Sequence, residues 1–302
     1  MLPALIALEK QFKPSTLTRI DDPRLDQFNI ELYMKRDDLL HPVISGNKWR
    51  KLKFILQDVL GGGFDTVVSM GGRYSNHLHA LACIGHRLGL KTIGLVRGEA
   101  PPVWNPTLRD LQRWGMQLRF VSRGAYRELR EYKRPDALPE LTPGQYWLPE
   151  GGTVGLALAG VAEAVTEIDI TYNTICVPCG TGTTLAGIIG AMPDRATAIG
   201  FAALKNAGFL QRDVRQLLSV AEQRQPRWHI EQNYHFGGFG KSNARLLAFV
   251  DDFFTQTGIP LEPVYTGKML YGIYDLIENG FFPPGQCIVA LHTGGLQGSR
   301  RE

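Results

Sequence analysis

Residues 174–187 have the sequence TICVPCGTGTTLAG, in which a strand, a glycine turn and the start of a helix follow one another. The apolar segment 174–177 predicts a buried strand. The residues after it are small or carry hydroxyl groups: Gly180, Thr181, Gly182, Thr183 and Thr184. Successive backbone N–H groups at a helix N-terminus bind phosphate, so this turn predicts a phosphate site. The alternative is a tight turn whose threonine only caps the helix.

Apolar segments of strand length alternate with amphipathic helical segments along most of the chain. This alternation predicts an α/β fold with open, twisted, mostly parallel sheets. The predicted strands are residues 30–35, 66–70, 92–96, 117–121, 174–177, 197–202 and 287–291, and the clearest helices are residues 47–60 and 76–88. The polar, proline-rich segment 123–144 predicts a surface helix and loop. Ligands of such sheets bind beyond the carboxyl ends of the strands, where the glycine turns lie.

The composition limits the classes of function. Apolar residues form 44% of the 302 residues, enough for the cores of two domains. The 33 basic and 29 acidic residues are mixed along the chain, without the basic face and stacking aromatics of a nucleic-acid-binding protein. No apolar run reaches the roughly 18–20 residues that span a bilayer. We therefore predict neither a nucleic-acid partner nor a membrane partner.

The cysteines indicate a reduced environment. Cys83, Cys176, Cys179 and Cys287 do not form the pattern of a disulfide framework in a chain of this length. The apolar N-terminus lacks a basic start and is a poor signal peptide, so we expect a cytoplasmic protein. Cys176 and Cys179 have CxxC spacing, which suggests zinc or redox chemistry, but no second pair accompanies them and no metal is predicted.

A lysine lies at the start of the helix predicted for residues 47–60. Lys48 belongs to segment 46–52, GNKWRKL. The positive end of a helix dipole disfavours a cation and lowers the pKa of the amine. An amine with a lowered pKa suits a Schiff base. For this residue taken alone, an exposed lysine at a helix start is the ordinary alternative.

A second glycine turn precedes the helix predicted for residues 76–88. Segment 71–77 is GGRYSNH. Ser75 and Asn76 are ordinary N-cap residues, but after a strand they also present a hydroxyl and an amide to a cleft. Both interpretations stay open from these residues alone.

Taken together, these segments resemble pyridoxal-phosphate (PLP) enzymes of the tryptophan synthase β type, in particular the D-cysteine desulfhydrase and 1-aminocyclopropane-1-carboxylate deaminase family. Segments 46–52 and 71–77 match the lysine and serine motifs of that family. Segments 264–268 (VYTGK) and 292–295 (HTGG) match its two C-terminal motifs. The motifs occur in the family's order, and the resemblance covers about residues 5 to 295.

The resemblance implies which residues bind the cofactor, pyridoxal 5′-phosphate. Lys48 would carry it as a Schiff base, and the turn 180–184 would hold its phosphate. Asn76 would bond its phenolic oxygen, Tyr265 would face its ring, and Thr293 would lie at the pyridine nitrogen.

The resemblance also implies the residues that act on a small amino-acid substrate. Lys48, which would move protons, Ser75, which would supply a hydroxyl, and Tyr265 would be catalytic. Ser75, Asn76 and His77 would bind the substrate.

Two positions distinguish the subfamilies, as far as the resemblance extends. The residue after the motif tyrosine is Glu in deaminases and Ser or Thr in desulfhydrases, and this chain has Thr266. The residue after the motif histidine is Leu in deaminases and Thr in desulfhydrases, and this chain has Thr293. Both positions indicate a desulfhydrase. Neutral threonines make a weaker electron sink than a carboxylate would, but β-elimination needs less help because the leaving group takes the electrons.

The chain departs from the family pattern at two places. The family usually has a second active-site tyrosine in a Gly-Tyr-Gly segment, where this chain has Phe239. Phe239 has no hydroxyl to donate, which leaves the choice of substrate open. The serine motif contains Arg73 and Tyr74 where Ile and Gln are expected, and Tyr74 is a candidate for a replacement hydroxyl.

The resemblance implies two domains, a homodimer and a lyase or deaminase activity. Residues 1–48 and 150–302 would form the larger, PLP-binding domain and residues 49–149 a smaller inserted domain, with PLP in the cleft. The predicted reaction is α,β-elimination from D-cysteine to pyruvate, ammonia and hydrogen sulfide. The alternatives are 1-aminocyclopropane-1-carboxylate deamination, elimination or racemisation of another small amino acid, and a PLP-binding protein without catalysis.

Overall fold

The computed structural model describes residues 1–44, 46–221 and 226–300. The strands are β1 Leu17–Arg19, β2 Glu31–Lys35, β3 Thr66–Gly71, β4 Lys91–Arg97, β5 Gln117–Val121, β6 Gln145–Leu148, β7 Thr174–Cys179, β8 Thr197–Ala202, β9 Trp228–Glu231 and β10 Cys287–Leu291. The α-helices are α1 Pro3–Glu9, α2 Pro23–Asp26, α3 Asn47–Gly61, α4 Asn76–Leu88, α5 Pro106–Arg113, α6 Arg123–Leu129, α7 Leu156–Thr166, α8 Thr183–Ala191, α9 Phe209–Val220, α10 Ala244–Thr257 and α11 Thr266–Glu278. Short 3₁₀ helices are Asp37–Leu39, Glu150–Gly152 and Leu296–Ser299.

The strands form two sheets. One sheet has six strands in the order β1-β2-β10-β7-β8-β9, and the other has four in the order β5-β4-β3-β6. Every pairing is parallel except that of β1 with β2. The predicted α/β fold with mostly parallel sheets is confirmed. We propose that the two sheets are the cores of two domains, with the boundaries predicted from the sequence.

Both faces of the six-stranded sheet are buried. Along β10, Val289 and Leu291 pack into one apolar cluster, and Ile288 and Ala290 pack into another on the opposite face. Because alternate side chains of a strand point to opposite faces, an apolar run such as CIVAL serves two cores at once. The central strands are continuous apolar segments, so the hydrophobic pattern of the sequence predicts them well.

The strands that the sequence analysis missed are short or lie at edges. β1 has three residues and pairs only with β2 at one edge, and β9 is half-buried throughout at the other. β6 follows the proline-rich segment 123–144, of which only α6 is regular structure. β1 and β9 carry a weak hydrophobic pattern because they are partly open to solvent, whereas β6 is buried but has only four residues, too few to show a period.

Two helices join the parts of the chain that carry the two sheets. Helix α3 packs against α7, and Arg50 of α3 donates to Asp37 at 3.0 Å and to Glu167 at 2.6 Å. Lys53 of α3 donates to Glu163 of α7 at 2.8 Å. These pairs fix the direction of α3, whose first turn carries Lys48.

All four cysteines are buried free thiols, and burial raises the pKa of the Cys176 and Cys179 thiols. Over the described ranges, no group of three or more His, Cys, Asp or Glu side chains could hold a metal ion. No helix within those ranges is both long and apolar enough to cross a membrane.

Candidate active site

The candidate site lies where the carboxyl ends of strands from both sheets approach the start of α3. The turn 180–184 follows β7, segment 292–295 follows β10, and segment 72–75 follows β3. The backbone N–H of Asn47 donates to the carbonyl of Thr293 at 3.3 Å. The fold therefore brings the lysine motif onto the C-terminal motif, although the sequence separates them widely.

Lys48 is half-buried, and its Nζ donates to Oδ1 of Asn47 at 2.7 Å. Burial lowers the pKa of the Lys48 amine to about 8, and the nearby Glu262 opposes that shift. An amine with this pKa has a substantial neutral fraction near neutrality and can attack a carbonyl carbon.

Asn47 connects the lysine to the glycine turn. Its Nδ2 donates to Oγ1 of Thr184 at 2.8 Å, while its Oδ1 accepts from Lys48. No local sequence pattern reveals this role of Asn47, because it depends on a contact between residues 137 positions apart.

The turn 180–184 has the geometry of an anion site. Gly182 has a φ of +77°, and a β-carbon there would lie 2.6 Å from Val214 Cγ2. The following residues begin α8, whose first N–H groups have no acceptor inside the helix. The hydroxyls of Thr181 and Thr183 lie 2.9 Å apart, which holds the turn together.

Lys51 places a buried amine beside this turn, since the Gly151 residue that it contacts lies next to Thr181. Its side chain is buried, and within the described ranges its only hydrogen bond goes to the Gly151 carbonyl at 3.3 Å. Burial lowers the pKa of the Lys51 amine well below its ordinary value, and Lys48 adds to the shift. A bound dianionic phosphate would favour the protonated form of this amine and would pair with it. Lys51 is part of segment 46–52, GNKWRKL. The hydrophobic periodicity of that segment predicts only that Lys51 is helical, not that it approaches the turn.

The side chains of Ser75 and His77 differ in how they are hydrogen-bonded at the start of α4. Ser75 Oγ accepts from the N–H of Leu78 at 3.2 Å as the N-cap of α4, and among the residues that the structure describes its O–H proton has no acceptor. His77 is 3% exposed, and its Nε2 lies 2.8 Å from Ser69 Oγ. Ser69 donates its proton to the Leu148 carbonyl, so His77 Nε2 must be the donor. His77 Nδ1 is buried and has no hydrogen-bond partner within the described ranges. We propose that His77 contacts a substrate through its backbone N–H.

A buried carboxylate organises the segment around Tyr265. Glu262 is 2% exposed and accepts hydrogen bonds from the N–H groups of Val264, Tyr265 and Thr266 at 2.6–2.9 Å. Burial raises the pKa of the Glu262 carboxyl to about 7, whereas these bonds lower it. Glu262 therefore fixes the backbone of segment 264–268, although it lies outside that sequence motif.

The Tyr265 ring lies over the glycine turn. Its Oη is 3.1 Å from the position that a β-carbon at Gly180 would take. Burial raises the pKa of the Tyr265 phenol, with Glu262 adding to the shift, so the hydroxyl stays protonated.

Thr293 is positioned by the histidine before it. His292 is fully buried, and its Nε2 donates to the Pro260 carbonyl at 2.8 Å while its Nδ1 accepts from the N–H of Gly294 at 3.2 Å. Thr293 itself is 8% exposed. The neutral ring of His292 therefore holds both sides of Thr293 in place.

Phe239 lies at the open side of the site. Its ring is 49% exposed and contacts Tyr265 edge-on, with ring centroids 5.8 Å apart. Lys268 holds this loop by donating to the carbonyls of His235 and Gly238. Tyr74 is 57% exposed, and over the described ranges only its backbone carbonyl is hydrogen-bonded, so these contacts do not support it as a replacement hydroxyl.

The sequence of this chain also matches a family model. The model, described as pyridoxal-phosphate dependent enzyme, matches residues 11–294. The chain belongs to this family of PLP-dependent enzymes. The site contains what the cofactor requires: an amine with a lowered pKa, an open helix N-terminus, a buried lysine beside it and an aromatic ring.

Individual relatives are similar over nearly the whole chain. A Pyrococcus horikoshii protein provisionally named 1-aminocyclopropane-1-carboxylate deaminase is 31% identical over 292 residues, which are 90% of this chain and 87% of the relative. A mitochondrial Arabidopsis thaliana protein named bifunctional D-cysteine desulfhydrase/1-aminocyclopropane-1-carboxylate deaminase is 30% identical, over 94% of this chain and 77% of its own. The crystal structure of an ACC deaminase homologue superposes with a TM-score of 0.80 at 27% identity, covering 99% of this chain and 97% of its own.

The residues that would hold PLP follow from the geometry. We propose that Lys48 binds the aldehyde, that the turn 180–184 and Lys51 bind the phosphate, and that Tyr265 covers one edge of the ring. We also propose the amide of Asn76 and the hydroxyl of Thr293 as polar contacts to the ring. When bound, PLP supplies an electron sink for negative charge at the substrate Cα.

Replacement of Gly182 by valine tests the phosphate turn. The new side chain would meet Val214 Cγ2 and would adopt a φ of +77° that L-residues disfavour. We expect the affinity for PLP to fall by about tenfold or more, which equals ~1.4 kcal/mol per decade. Absorbance titration with PLP measures this effect.

Gly208→Val is the matched control, because a β-carbon at Gly208 meets nothing within 4 Å. Equal PLP affinities for the two variants would mean that residues 180–184 form only a turn.

Proposed function

We propose that the protein catalyses PLP-dependent α,β-elimination from a small amino acid, with D-cysteine as the preferred substrate. The products would be pyruvate, ammonia and hydrogen sulfide. The family membership supports the cofactor and the reaction class. The Arabidopsis relative, whose name includes D-cysteine desulfhydrase, supports the substrate class.

Lys48 is the residue proposed to remove the proton from Cα. Its lowered pKa would make the free amine an effective base near neutrality. The Ser75 hydroxyl lies at the start of α4, where its proton is free to contact the substrate or the leaving group. The first N–H groups of α4 are a site for the substrate carboxylate.

The observation that carries the choice of substrate is the neutral pair Thr266 and Thr293. Thr266 is fully buried, and its Oγ1 lies 3.2 Å from Glu262 Oε1 as a donor. The Glu262 carboxylate is engaged by the backbone N–H groups of the same segment. The side chains of Thr266 and Thr293 therefore add no charge of their own to the two motifs, which suits elimination of a good leaving group such as thiolate.

A second candidate is 1-aminocyclopropane-1-carboxylate deamination. Relatives named for this activity favour it, including proteins of Cyberlindnera saturnus and Rhizobium leguminosarum at 27% and 29% identity. Ring opening needs a stronger electron sink and, we infer, hydroxyls that Phe239 cannot supply. We therefore rank this activity second.

Parallel turnover assays decide between these reactions. We expect kcat/KM for D-cysteine to exceed that for 1-aminocyclopropane-1-carboxylate by about 100-fold or more, a difference of ~2.7 kcal/mol in transition-state stabilisation. Sulfide and pyruvate report on the first substrate, and 2-oxobutanoate on the second. L-cysteine and both serine enantiomers complete the panel and separate elimination from racemisation.

Variants of the residues proposed to select the substrate, Thr266, Thr293 and Phe239, test the same choice. Thr266→Glu with Thr293→Leu should lower D-cysteine elimination, and Phe239→Tyr in that background should raise any ring opening. Robust 2-oxobutanoate formation by the unmodified protein, without sulfide from D-cysteine, would reverse the proposed order. Absence of turnover with every substrate would indicate a PLP-binding protein without catalysis.

A further inference from the structure

The last helix of the described chain crosses from one sheet toward the other. The 3₁₀ helix Leu296–Ser299 follows β10 of the six-stranded sheet. Its residue Gln297 contacts the starts of α4 and α5, which flank the four-stranded sheet. The C-terminal segment therefore joins the two halves of the candidate site.

Gln297 uses both ends of its amide. Its Nε2 donates to Oδ1 of Asn76 at 2.6 Å and approaches the Tyr74 carbonyl at 3.4 Å. Its Oε1 accepts from Thr107 Oγ1 at 2.9 Å. Thr107 is 1% exposed, so this end of the contact is sheltered from water.

These contacts determine the orientation of the Asn76 amide. The Tyr74 backbone carbonyl can only accept, so the Gln297 atom that faces it must be the NH₂ group. The Asn76 atom that faces the same NH₂ group must then be the carbonyl oxygen. The NH₂ group of Asn76 is left on the opposite side, 2.9 Å from the position that a β-carbon at Gly295 would take. Within the described ranges, that NH₂ group has no acceptor.

We infer that Gln297 is a positioning residue that holds the Asn76 amide with its N–H groups toward the cofactor. An oxygen in that place would repel the anionic phenolic oxygen of PLP, whereas an N–H stabilises it. The inference rests on the proposed role of Asn76. It gives the C-terminal segment a part in the electronic state of the cofactor.

A second contact anchors the same segment without touching Asn76. Arg300 donates to Asp110 at 2.6 Å, and Asp110 also lies 3.0 Å from His79 Nε2 of α4. Arg300 also donates to the Gln297 carbonyl at 3.0 Å and approaches Gln297 Oε1 at 3.4 Å. Arg300→Ala would therefore loosen the C-terminal segment and weaken its hold on Gln297, while it keeps an amide at residue 297 that can donate to Asn76. This variant separates anchoring of the segment from orientation of Asn76.

The experiment compares Gln297→Glu, Gln297→Ala and Arg300→Ala in the full-length protein. A glutamate at residue 297 can only accept, so it would turn the Asn76 NH₂ group away from the cofactor. We expect Gln297→Glu to raise the Kd for PLP about tenfold, more than Gln297→Ala does. The pH midpoint of the cofactor absorbance should rise by about one unit, the size of one hydrogen bond to a charged oxygen. Arg300→Ala should lower the midpoint temperature of unfolding and leave the pH midpoint of the cofactor absorbance unchanged.

A double-mutant cycle with Asn76→Ala completes the test. Orientation through Asn76 predicts that Gln297→Glu has no further effect on Kd or on the absorbance midpoint in the Asn76→Ala background. Persistence of the effect in that background, or a change in thermal midpoint alone, would overturn the inference. If Asn76→Ala itself leaves Kd and midpoint unchanged, the proposed role of Asn76 fails, and the inference with it. If Asn76→Ala changes the Kd and the pH midpoint but neither Gln297 variant does, the role of Asn76 stands and only the inference about Gln297 fails.

Discussion

Replacement of Lys48 by alanine is expected to abolish the borohydride-stable attachment of PLP and to lower turnover by roughly a thousandfold or more. The reason is twofold. Lys48 is the lysine at the start of α3 whose amine has a pKa lowered to about 8 by burial. It is also the residue proposed to move the proton at Cα. PLP should still bind through the turn 180–184 and Lys51, but without a covalent bond.

Peptide mapping after borohydride reduction measures this prediction. Lys53→Gln is the matched control, since Lys53 belongs to the same helix but pairs with Glu163 and Glu9 away from the turn. The control should keep the covalent linkage and its absorbance. A label on Lys51 in the unmodified protein would contradict the assignment, because Lys51 is the other buried lysine near the turn.

The parts of the site that sequence alone predicted are those specified by local patterns. The turn 180–184 follows an apolar strand, and Ser75 caps the helix that begins at Asn76, as the N-cap pattern indicates. These features depend on residues within a few positions of one another. For the same reason, the strands 117–121, 197–202 and 287–291 and the helix 76–88 have the bounds that were predicted.

The parts that sequence did not predict depend on contacts between distant segments. Asn47 gains its role from Thr184, and Gln297 gains its role from Asn76. Glu262 is an ordinary loop carboxylate in sequence, and only the fold buries it against three backbone N–H groups. No periodicity signals such pairs, because hydrophobic patterns report which face is buried and not which polar groups meet there.

The contact between α3 and the C-terminal motif leads to the second large expected effect. Gly46 precedes α3 with φ of +64° and ψ of −150°, a backbone conformation found almost only for glycine. A β-carbon there would lie 1.8 Å from the carbonyl oxygen of Thr293. The next nearest atoms, the Thr293 carbonyl carbon at 2.3 Å and the Gly294 nitrogen at 2.7 Å, are also backbone atoms. The clash therefore cannot be relieved without displacing Lys48 or Thr293.

Gly46→Ala is therefore expected to destabilise the protein by about 4 kcal/mol or more, which for a chain of this size lowers the thermal midpoint by roughly 10 °C. PLP affinity should fall together with stability, since the same displacement separates Lys48 from the rest of the site. Gly258→Ala is the control: Gly258 also has a positive φ, of +68°, but a β-carbon there meets nothing within 4 Å. It should cost only the ~1 kcal/mol of an L-residue in a left-handed conformation. Thermal unfolding and PLP titration of both variants measure the difference. Equal shifts for the two would mean that the approach of residue 46 to Thr293 does not hold the site together.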